Sequence, residues 1–407
     1  MHAFPRKITA FVILFAAMGI LLACQSNGWQ GITTPPTGET PAPLAGLNQP
    51  VPLSPGVSPT PMPTLGSEVR WSESEAAQGI VVEVPNEVAG GQDLYLIRPD
   101  GSPPSLLVNL QGVDALSASS APNGKWLAIE TEPLEPVHEL LNQSLSILSL
   151  DTFELKPLLE RVSVVTYAWS SNGESLAYSV QAEPGAVRTG IYDAGTNDQL
   201  ELFKSSPPGS WRISGWTLEN QFLLIVHFLG GGRIIDQAAL LDASTGALDV
   251  IYTDPAGSTQ VVLPSPDGQT AIVVKRNPQN FDQGSLSLLT LSTGVLTPLA
   301  ASPDYIASLP VWSPDANRVA LTLSDQPQKG LASPLSIVLV DTSGRRSTAL
   351  YVENPPMLIR PLGWASNEVL IVNNLGREAL DQVVYSVQAN GSNAQKISWG
   401  RFLTTVP

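Results

Sequence analysis

Ser265-Pro266-Asp267-Gly268-Gln269-Thr270-Ala271-Ile272-Val273 reads as a tight turn that releases directly into an apolar strand. Pro presets one backbone dihedral of such a turn, and Asp and Gly tolerate the others. The segment recurs. Trp312-Ser313-Pro314-Asp315-Ala316-Asn317-Arg318-Val319-Ala320-Leu321 and Trp169-Ser170-Ser171-Asn172-Gly173-Glu174-Ser175-Leu176-Ala177-Tyr178 repeat it with a tryptophan in front. Ala121-Pro122-Asn123-Gly124-Lys125-Trp126-Leu127-Ala128-Ile129 is a fourth copy, and weaker ones begin at Trp216 and Trp364. The position held by tryptophan falls at 120, 169, 216, 264, 312 and 364, a spacing of 47 to 52 residues.

Working outward, each apolar strand is followed by a variable loop and then an alternating strand such as Leu145-Ser146-Ile147-Leu148-Ser149-Leu150. A second turn follows, as at Thr245-Gly246, Thr293-Gly294 and Asn390-Gly391, and a short last strand such as Leu296–Leu299 ends the unit. Four strands in about 48 residues is the period and content of a propeller blade. The fold is therefore expected to be all-β, a β-propeller of four-stranded blades. Six units carry the turn. An incomplete unit precedes them: Gly79–Val84, Asp93–Ile97 and Ser105–Val108 supply its second, third and fourth strands. The tail Arg401–Val406 is spare, and pairing it with the first blade would close the ring and remove exposed edges. The count that follows is seven blades, with six or eight left open.

On the Ser265–Gly268 turn and its partial copies at Ser313–Ala316, Ala121–Gly124 and Ser171–Gly173, residues 71–407 resemble the TolB-type (WD-like) propeller repeat. The resemblance implies a propeller and a periplasmic setting. TolB proteins carry a small α/β domain ahead of a six-bladed ring. Here a proline-rich stretch stands in that place, so a role in the Tol system is not carried over.

The N-terminus reads as an address. Arg6 and Lys7 precede the apolar run Ile8–Leu22, which is shorter than the roughly 20 residues needed to span a bilayer. It ends in Leu21-Leu22-Ala23-Cys24, which resembles the lipobox of bacterial lipoproteins. That resemblance implies a signal peptide over 1–23, cleavage before Cys24 and lipid on the Cys24 sulfur. Cys24 is the single cysteine of the 407 residues. Residues 24–70 read as a proline-rich tether: ten prolines fall between Gly31 and Leu65, with no apolar period. Residues 71–407 are left for the propeller. The expected location is extracytoplasmic and membrane-anchored, in the outer membrane or periplasm or on the outer face of a plasma membrane.

Removing 1–23 takes away Arg6 and Lys7 and no acid, leaving 19 basic against 36 acidic side chains. Such a surface repels phosphate backbones, so nucleic-acid binding is not expected. Of three histidines, His2 leaves with the signal, and His138 and His227 stand apart. Without further His or Cys, no metal and no cofactor is expected. The chain has no Gly-x-Ser-x-Gly elbow. Prolyl oligopeptidases carry similar repeats beside an α/β-hydrolase domain, and here the chain ends with the propeller. The expectation was accordingly no catalytic residue and no enzyme.

Trp169, Trp216, Trp312 and Trp364, once per blade, are expected to fill the wedges between blades. The loops between second and third strands read as long, and carry Arg188, Arg233, Lys275, Arg276, Lys329 and Arg377 against Glu183, Asp236, Asp282, Asp325, Glu378 and Asp381. These charges cancel, but variable loops on a rigid frame are where binding is expected. The leading expectation is a monomeric binding or scaffold protein that holds another envelope protein on its long-loop face. No individual binding residue is assigned. The alternative is an envelope carbohydrate binder or carbohydrate-active enzyme using carboxylates at the channel, for which paired acids need no local motif.

Overall fold

The computed structural model describes residues 79–407 apart from 87–90, 99–101, 135–140, 184, 206–208, 218–219, 230–233, 278–279, 303–304, 307, 325–334, 353–358, 375–382 and 393. The signal peptide, lipidated Cys24 and tether expected from the sequence lie outside the described residues. Those that are described belong to one compact unit, and all its regular elements are strands.

The strands pair antiparallel in successive runs of four. β1 (Gly79–Pro85), β2 (Gln92–Ile97) and β3 (Ser105–Leu110) begin the first run. β4 (Val113–Ser120), β5 (Trp126–Pro133), β6 (Gln143–Ser149) and the first half of β7 (Leu155–Trp169) make the second. The second half of β7 opens the third with β8 (Ser175–Glu183), β9 (Ala186–Asp193) and β10 (Gln199–Ser205). β11 (Gly209–Thr217), β12 (Phe222–Leu229), β13 (Ile234–Asp242) and β14 (Leu248–Thr253) form the fourth. β15 (Thr259–Pro264), β16 (Thr270–Asn277), β17 (Asn280–Thr290) and β18 (Val295–Ser302) form the fifth. In the sixth, the short β19 (Tyr305–Ile306) and β20 (Val311–Trp312) together flank β21 (Arg318–Ser324), which leads to β22 (Leu335–Asp341) and β23 (Arg346–Val352). β24 (Ile359–Ser366), β25 (Val369–Asn374), β26 (Val383–Gln388) and β27 (Gln395–Trp399) form the seventh.

The last strand, β28 (Arg401–Val406), returns to the first run and pairs with β1, with Ile80 opposite Thr405. The spare tail thus supplies the first strand that the N-terminal unit lacks, and the chain ends are joined as the sequence led us to expect. β28 also lies against β4 on one side and β24 on the other.

The second strands read as continuous apolar runs because each is covered on both faces by neighbouring sheets. Leu127, Ala128 and Ile129 of β5 are fully buried, as are Leu223 and Leu224 of β12. The tryptophans sit at the junctions between runs and also carry a hydrogen bond there. Trp169 Nε1 donates to Ser119 O (2.9 Å), Trp216 Nε1 to Ala168 O (2.9 Å), Trp312 Nε1 to Leu263 O (3.1 Å) and Trp364 Nε1 to Val311 O (3.2 Å). Each indole reaches the carbonyl just before the tryptophan position of the preceding run. Where that residue is not tryptophan, a serine does similar work: Ser120 Oγ donates to Thr405 O and Ser214 Oγ to Val262 O. The first strands are thereby stitched edge to edge from the first run through to the seventh.

The two ends differ. At one, the repeated turns close on themselves: Ser265 Oγ donates to Asp267 Oδ1 and Gly268 N to Ser265 O (2.9 Å), and Ser313 with Ala316 copies the pattern. Neighbouring turns also bond to each other, as Asn123 Nδ2 does to Gly173 O and Ser171 N to Asn220 Oδ1. The opposite end bears the connections between second and third strands. Here the sequence reading needs correction. β8 and β9 are joined through only two residues, and β16 and β17 likewise. Arg188, Lys275, Arg276, Glu183, Asp236 and Asp282 therefore lie in strands rather than in long loops. Pro184-Gly185 and Asn277-Pro278 are tight-turn dipeptides that favour short hairpins. The connections after β5, β21 and β25 are the long ones.

Candidate functional site: the charged mouth at the loop end

Every first strand starts at the loop end and finishes at the turn end. Arg212 stands four residues before Trp216, and Arg360 four before Trp364. In β28, Thr405 pairs with Ile80 as Trp364 pairs with Leu370, and Arg401 stands four residues before it. Arg212, Arg360 and Arg401 thus occupy one tier of the innermost strands, in the fourth, seventh and first runs.

Each arginine meets different surroundings. Arg401 donates from Nε to Glu83 Oε2 at 2.7 Å, bonds it again through a terminal nitrogen, and reaches Leu116 O of β4. Arg212 lies with its guanidinium carbon 4.4 Å from the Phe228 ring centre and donates from Nε to Ser210 Oγ at 3.2 Å. No carboxylate pairs with it among the described residues. Arg360 has no hydrogen bond or ion pair among the described residues, and its Nε is buried without a partner. Burial, and then the nearby positive charge of Arg401, push its pKa down.

Beside the arginines lies a carboxylate group. Glu83 is 4% exposed, and its Oε1 accepts from Ala115 N of β4 at 2.9 Å. Burial raises the Glu83 pKa, Arg401 and the Ala115 N–H oppose that, and Asp114 adds to it. Glu130, on β5, is 8% exposed. Its Oε2 accepts from Ser117 Oγ at 2.7 Å, and Ser117 Oγ in turn lies 2.8 Å from the Tyr167 hydroxyl of β7. Burial pushes Glu130 up to about 7, with Glu132 adding repulsion and the Ser117 bond holding it back. Glu132 is raised by burial and by Asp114, its cross-strand partner. The result is a buried carboxyl, Glu130, that titrates near 7, with a second carboxylate, Glu132, two residues along the same strand.

On the fourth run, His227 Nδ1 lies 2.6 Å from Asp236 Oδ1, and the His227 ring packs 5.1 Å from the Trp211 ring. His227 is thus a partly exposed residue oriented by a carboxylate. Among the described residues, no three His, Cys, Asp or Glu side chains gather as a metal cage.

The other charges singled out in the sequence form pairs of their own. Arg188 lies 3.6 Å from both Glu183 and Glu201, and Lys275 lies 3.7 Å from Asp254. His138, Arg233, Lys329, Arg377, Asp325, Glu378 and Asp381 lie outside the described residues. The sequence reading did not single out Arg212, Arg360, Arg401, Glu83 or Glu130. For the arginines a signal existed: a fixed offset of four from the tryptophan position.

No known family model matches the chain, and no curated protein resembles it at sequence level. Solved structures do. The β-propeller domain of the Trilobed protease from Pyrococcus furiosus is 10% identical, with a TM-score of 0.55 over 78% of this chain and 92% of that one. An oligogalacturonate lyase from Vibrio parahaemolyticus is 10% identical, with a TM-score of 0.57 over 77% of this chain and 90% of that one. TolB from Acinetobacter baumannii is 17% identical, with a TM-score of 0.46 over 68% of this chain and 63% of that one. The class is thus a β-propeller, and TolB-like propellers stand among its neighbours. The chain spans only 63% of the TolB and 50% of a prolyl endopeptidase that it also resembles.

These likenesses overturn one expectation. The sequence reading, which found no nucleophile-elbow motif, had pointed away from an enzyme. Yet prolyl endopeptidase and oligogalacturonate lyases share this fold, the lyase over nearly its whole length. A propeller can bring side chains from strands far apart in sequence to one axial mouth, where no local motif records them.

Proposed function

We propose that the chain is an extracytoplasmic recognition module, anchored by lipid on Cys24, whose seven-bladed ring holds an envelope protein at its loop end. The asymmetry between the two ends carries this reading. At the turn end, the repeated turns spend their polar groups on one another. At the loop end stand three arginines at one level of the first strands, Arg401 paired with Glu83, together with the Glu130–Glu132 carboxylates and the His227–Asp236 pair. Charged groups of both signs around a rigid mouth give specificity in partner choice.

The test uses the full-length protein, crosslinked in native envelope extract, with captured species identified by mass spectrometry. A mouth variant, Asp114→Lys with Glu132→Lys, is compared with a turn-end variant, Asn220→Lys. The expected result is one protein captured by wild type and by Asn220→Lys and lost from the mouth variant. Equal capture by all three would overturn the placement. Loss of fatty-acid labelling in Cys24→Ser tests the anchor.

Glu130 favours a second reading. A buried Glu130 titrating near 7, with a second carboxylate, Glu132, two residues along the same strand, offers two carboxyl groups of the kind used for acid–base work on glycosidic bonds. Turnover of an envelope glycan by wild type, lost in Glu130→Gln while folding is retained, would establish it.

A further inference from the structure

We infer that Glu130, Ser117 and Tyr167 form a proton-operated latch at the junction of the second and third runs, shut while Glu130 is protonated and loosened when it ionises. The inference goes beyond partner capture, because the protein alone carries it and no partner is needed to read it.

The first observation is a chain of hydrogen bonds that crosses the junction. Ser117 of β4 stands opposite Glu130 of β5 and donates to its Oε2 at 2.7 Å. That engages the one proton of the Ser117 hydroxyl, so the Tyr167 hydroxyl of β7, 2.8 Å away, donates to Ser117 Oγ. The same junction is tied nearer the turn end by Trp169 Nε1 to Ser119 O and by Asn123 Nδ2 to Gly173 O, both at 2.9 Å. Ser117 and Tyr167 hold the level closest to the loop end. Just beyond them the ladders of both first strands shift register, between Ala115 and Ser117 and between Val164 and Thr166. A bulge disrupts the ladder locally, so this level depends more on its side chains.

The second observation is what surrounds the carboxyl. Glu130 is 8% exposed and has no ion pair among the described residues. It meets Ser117 from β4, the hydroxyl chain to Tyr167 from β7, and the apolar Leu145 opposite it on β6. On its own strand stands Glu132, whose cross-strand neighbour on β4 is a second acid, Asp114. The guanidinium of Arg401, on β28, is engaged by Glu83 of β1. A buried carboxylate with one neutral donor and an acid for a neighbour is costly, so the shut junction favours the protonated form. In keeping with this, burial brings the Glu130 pKa up to about 7 against the opposing Ser117 bond, with Glu132 adding to the rise.

Ionisation passes the Glu130 proton to solvent and leaves a charge that needs water. Water reaches it when the loop-end level of the junction loosens, while the Trp169 and Asn123 ties hold the turn end. The pKa is higher in the shut form than in a hydrated one. Acid therefore favours the shut form, and the loosened form gains as pH rises from about 4.5 to about 7.

Amide hydrogen exchange of the full-length protein tests the latch, followed by mass spectrometry and corrected for the intrinsic pH dependence of exchange. β4 and the second half of β7 should exchange roughly 10- to 100-fold faster at pH 8 than at pH 5. At pH 8, urea below the unfolding transition should speed β22 and β25 and leave β4 and β7 little changed, because a local opening exposes little surface. In Glu130→Gln the corrected rates of β4 and β7 should no longer vary with pH. In Tyr167→Phe they should already exceed those of wild type at pH 5. The inference is overturned if β4 and β7 of wild type do not accelerate, or if urea speeds them as steeply as β22 and β25. It is equally overturned if Glu130→Gln keeps the wild-type dependence, or if Tyr167→Phe matches wild type at pH 5. The first two outcomes need wild type alone, so the test stands even where a variant does not fold.

Discussion

The guanidinium of Arg401 grips the carboxylate of Glu83 across 318 residues of chain, with Nε to Oε2 at 2.7 Å. Glu83 belongs to the first described strand and Arg401 to the last, so this pair fastens the ring where its ends meet. The same carboxylate also accepts from Ala115 N, tying β28 and β1 to β4. Removing Arg401 leaves an almost fully buried carboxylate with one N–H for company. Arg401→Leu should therefore destabilise the protein by about 3 kcal/mol, the usual cost of breaking a buried pair from one side. Glu83→Gln, which can still accept from Ala115 N, should cost less. Urea unfolding measures both. An unchanged midpoint in Arg401→Leu would mean that strand pairing alone closes the ring.

Glu130 predicts a pH dependence of definite sign. Its pKa rises on folding from 4.5 to about 7, mainly through burial. The unfolded chain releases this proton first, so the contribution of Glu130 is fully present below about pH 4.5. It is lost as pH rises to about 7, where it levels off. A shift of that size corresponds to about 3 kcal/mol. Glu83 and Glu132 are raised as well and steepen the fall. Unfolding in urea at pH 5, 6, 7 and 8 should show stability declining through this window. In Glu130→Gln the decline should be much shallower, and an unaltered slope would count against the assignment.

How much of this could be read beforehand depends on where the information sits along the chain. The turn at Ser265–Gly268 is local chemistry, so its recurrence announced the strand after it and, with it, the architecture. The pairing of Ile80 with Thr405 spans the molecule, yet it was foreseeable because one unit lacked a strand and the tail offered one. Loop lengths were misread where strands ran on into the hairpin: Arg188 and Lys275 looked like loop residues because polar side chains at strand ends resemble loops. The mouth was the least legible part. Glu130, Ser117 and Tyr167 come from three strands of two runs, and nothing local says that Ser117 Oγ bridges the other two. The offset that aligns Arg212 with Arg360 was present in the sequence, but that Arg360 Nε is buried with no partner among the described residues belongs to three dimensions.

Asp254, 3% exposed, organises the connection between β14 and β15. Its Oδ2 accepts from Ser258 N, Thr259 N and Thr259 Oγ1, each at 2.8 Å, and from Ser258 Oγ at 3.0 Å. Burial pushes its pKa up, but these bonds outweigh burial and bring it down to about 2. The stabilisation is present above the ordinary value of 3.8 and is lost as pH falls through about 2. Asp254→Asn keeps the shape but weakens bonds to a charged acceptor, and should cost about 2 kcal/mol at pH 7. The gap to wild type should narrow in unfolding runs approaching pH 2. A constant gap would show that shape, not charge, matters there.

Ala316 offers a change in the stabilising direction. It occupies the turn position that Gly268 holds in the full motif, and both have left-handed φ, 57° and 66°. At Gly268 the conformation carries no side-chain penalty, while at Ala316 the Cβ crowds the following carbonyl, at about 1 kcal/mol. Ala316→Gly relieves that strain but gives the unfolded chain more freedom, which offsets part of the gain. Ala316 is also 7% exposed, so a buried methyl is lost. The strain is the larger of these effects if the turn is as rigid as its bonds from Ser313 to Asp315 and Arg318 imply. A rise of about 0.5 kcal/mol in unfolding free energy is expected. The mirror substitution, Gly268→Ala, should lower stability by about 1 kcal/mol in the equivalent turn. If both substitutions destabilise, burial of the Ala316 methyl outweighs the strain, and the two turns are not equivalent despite their matching backbone.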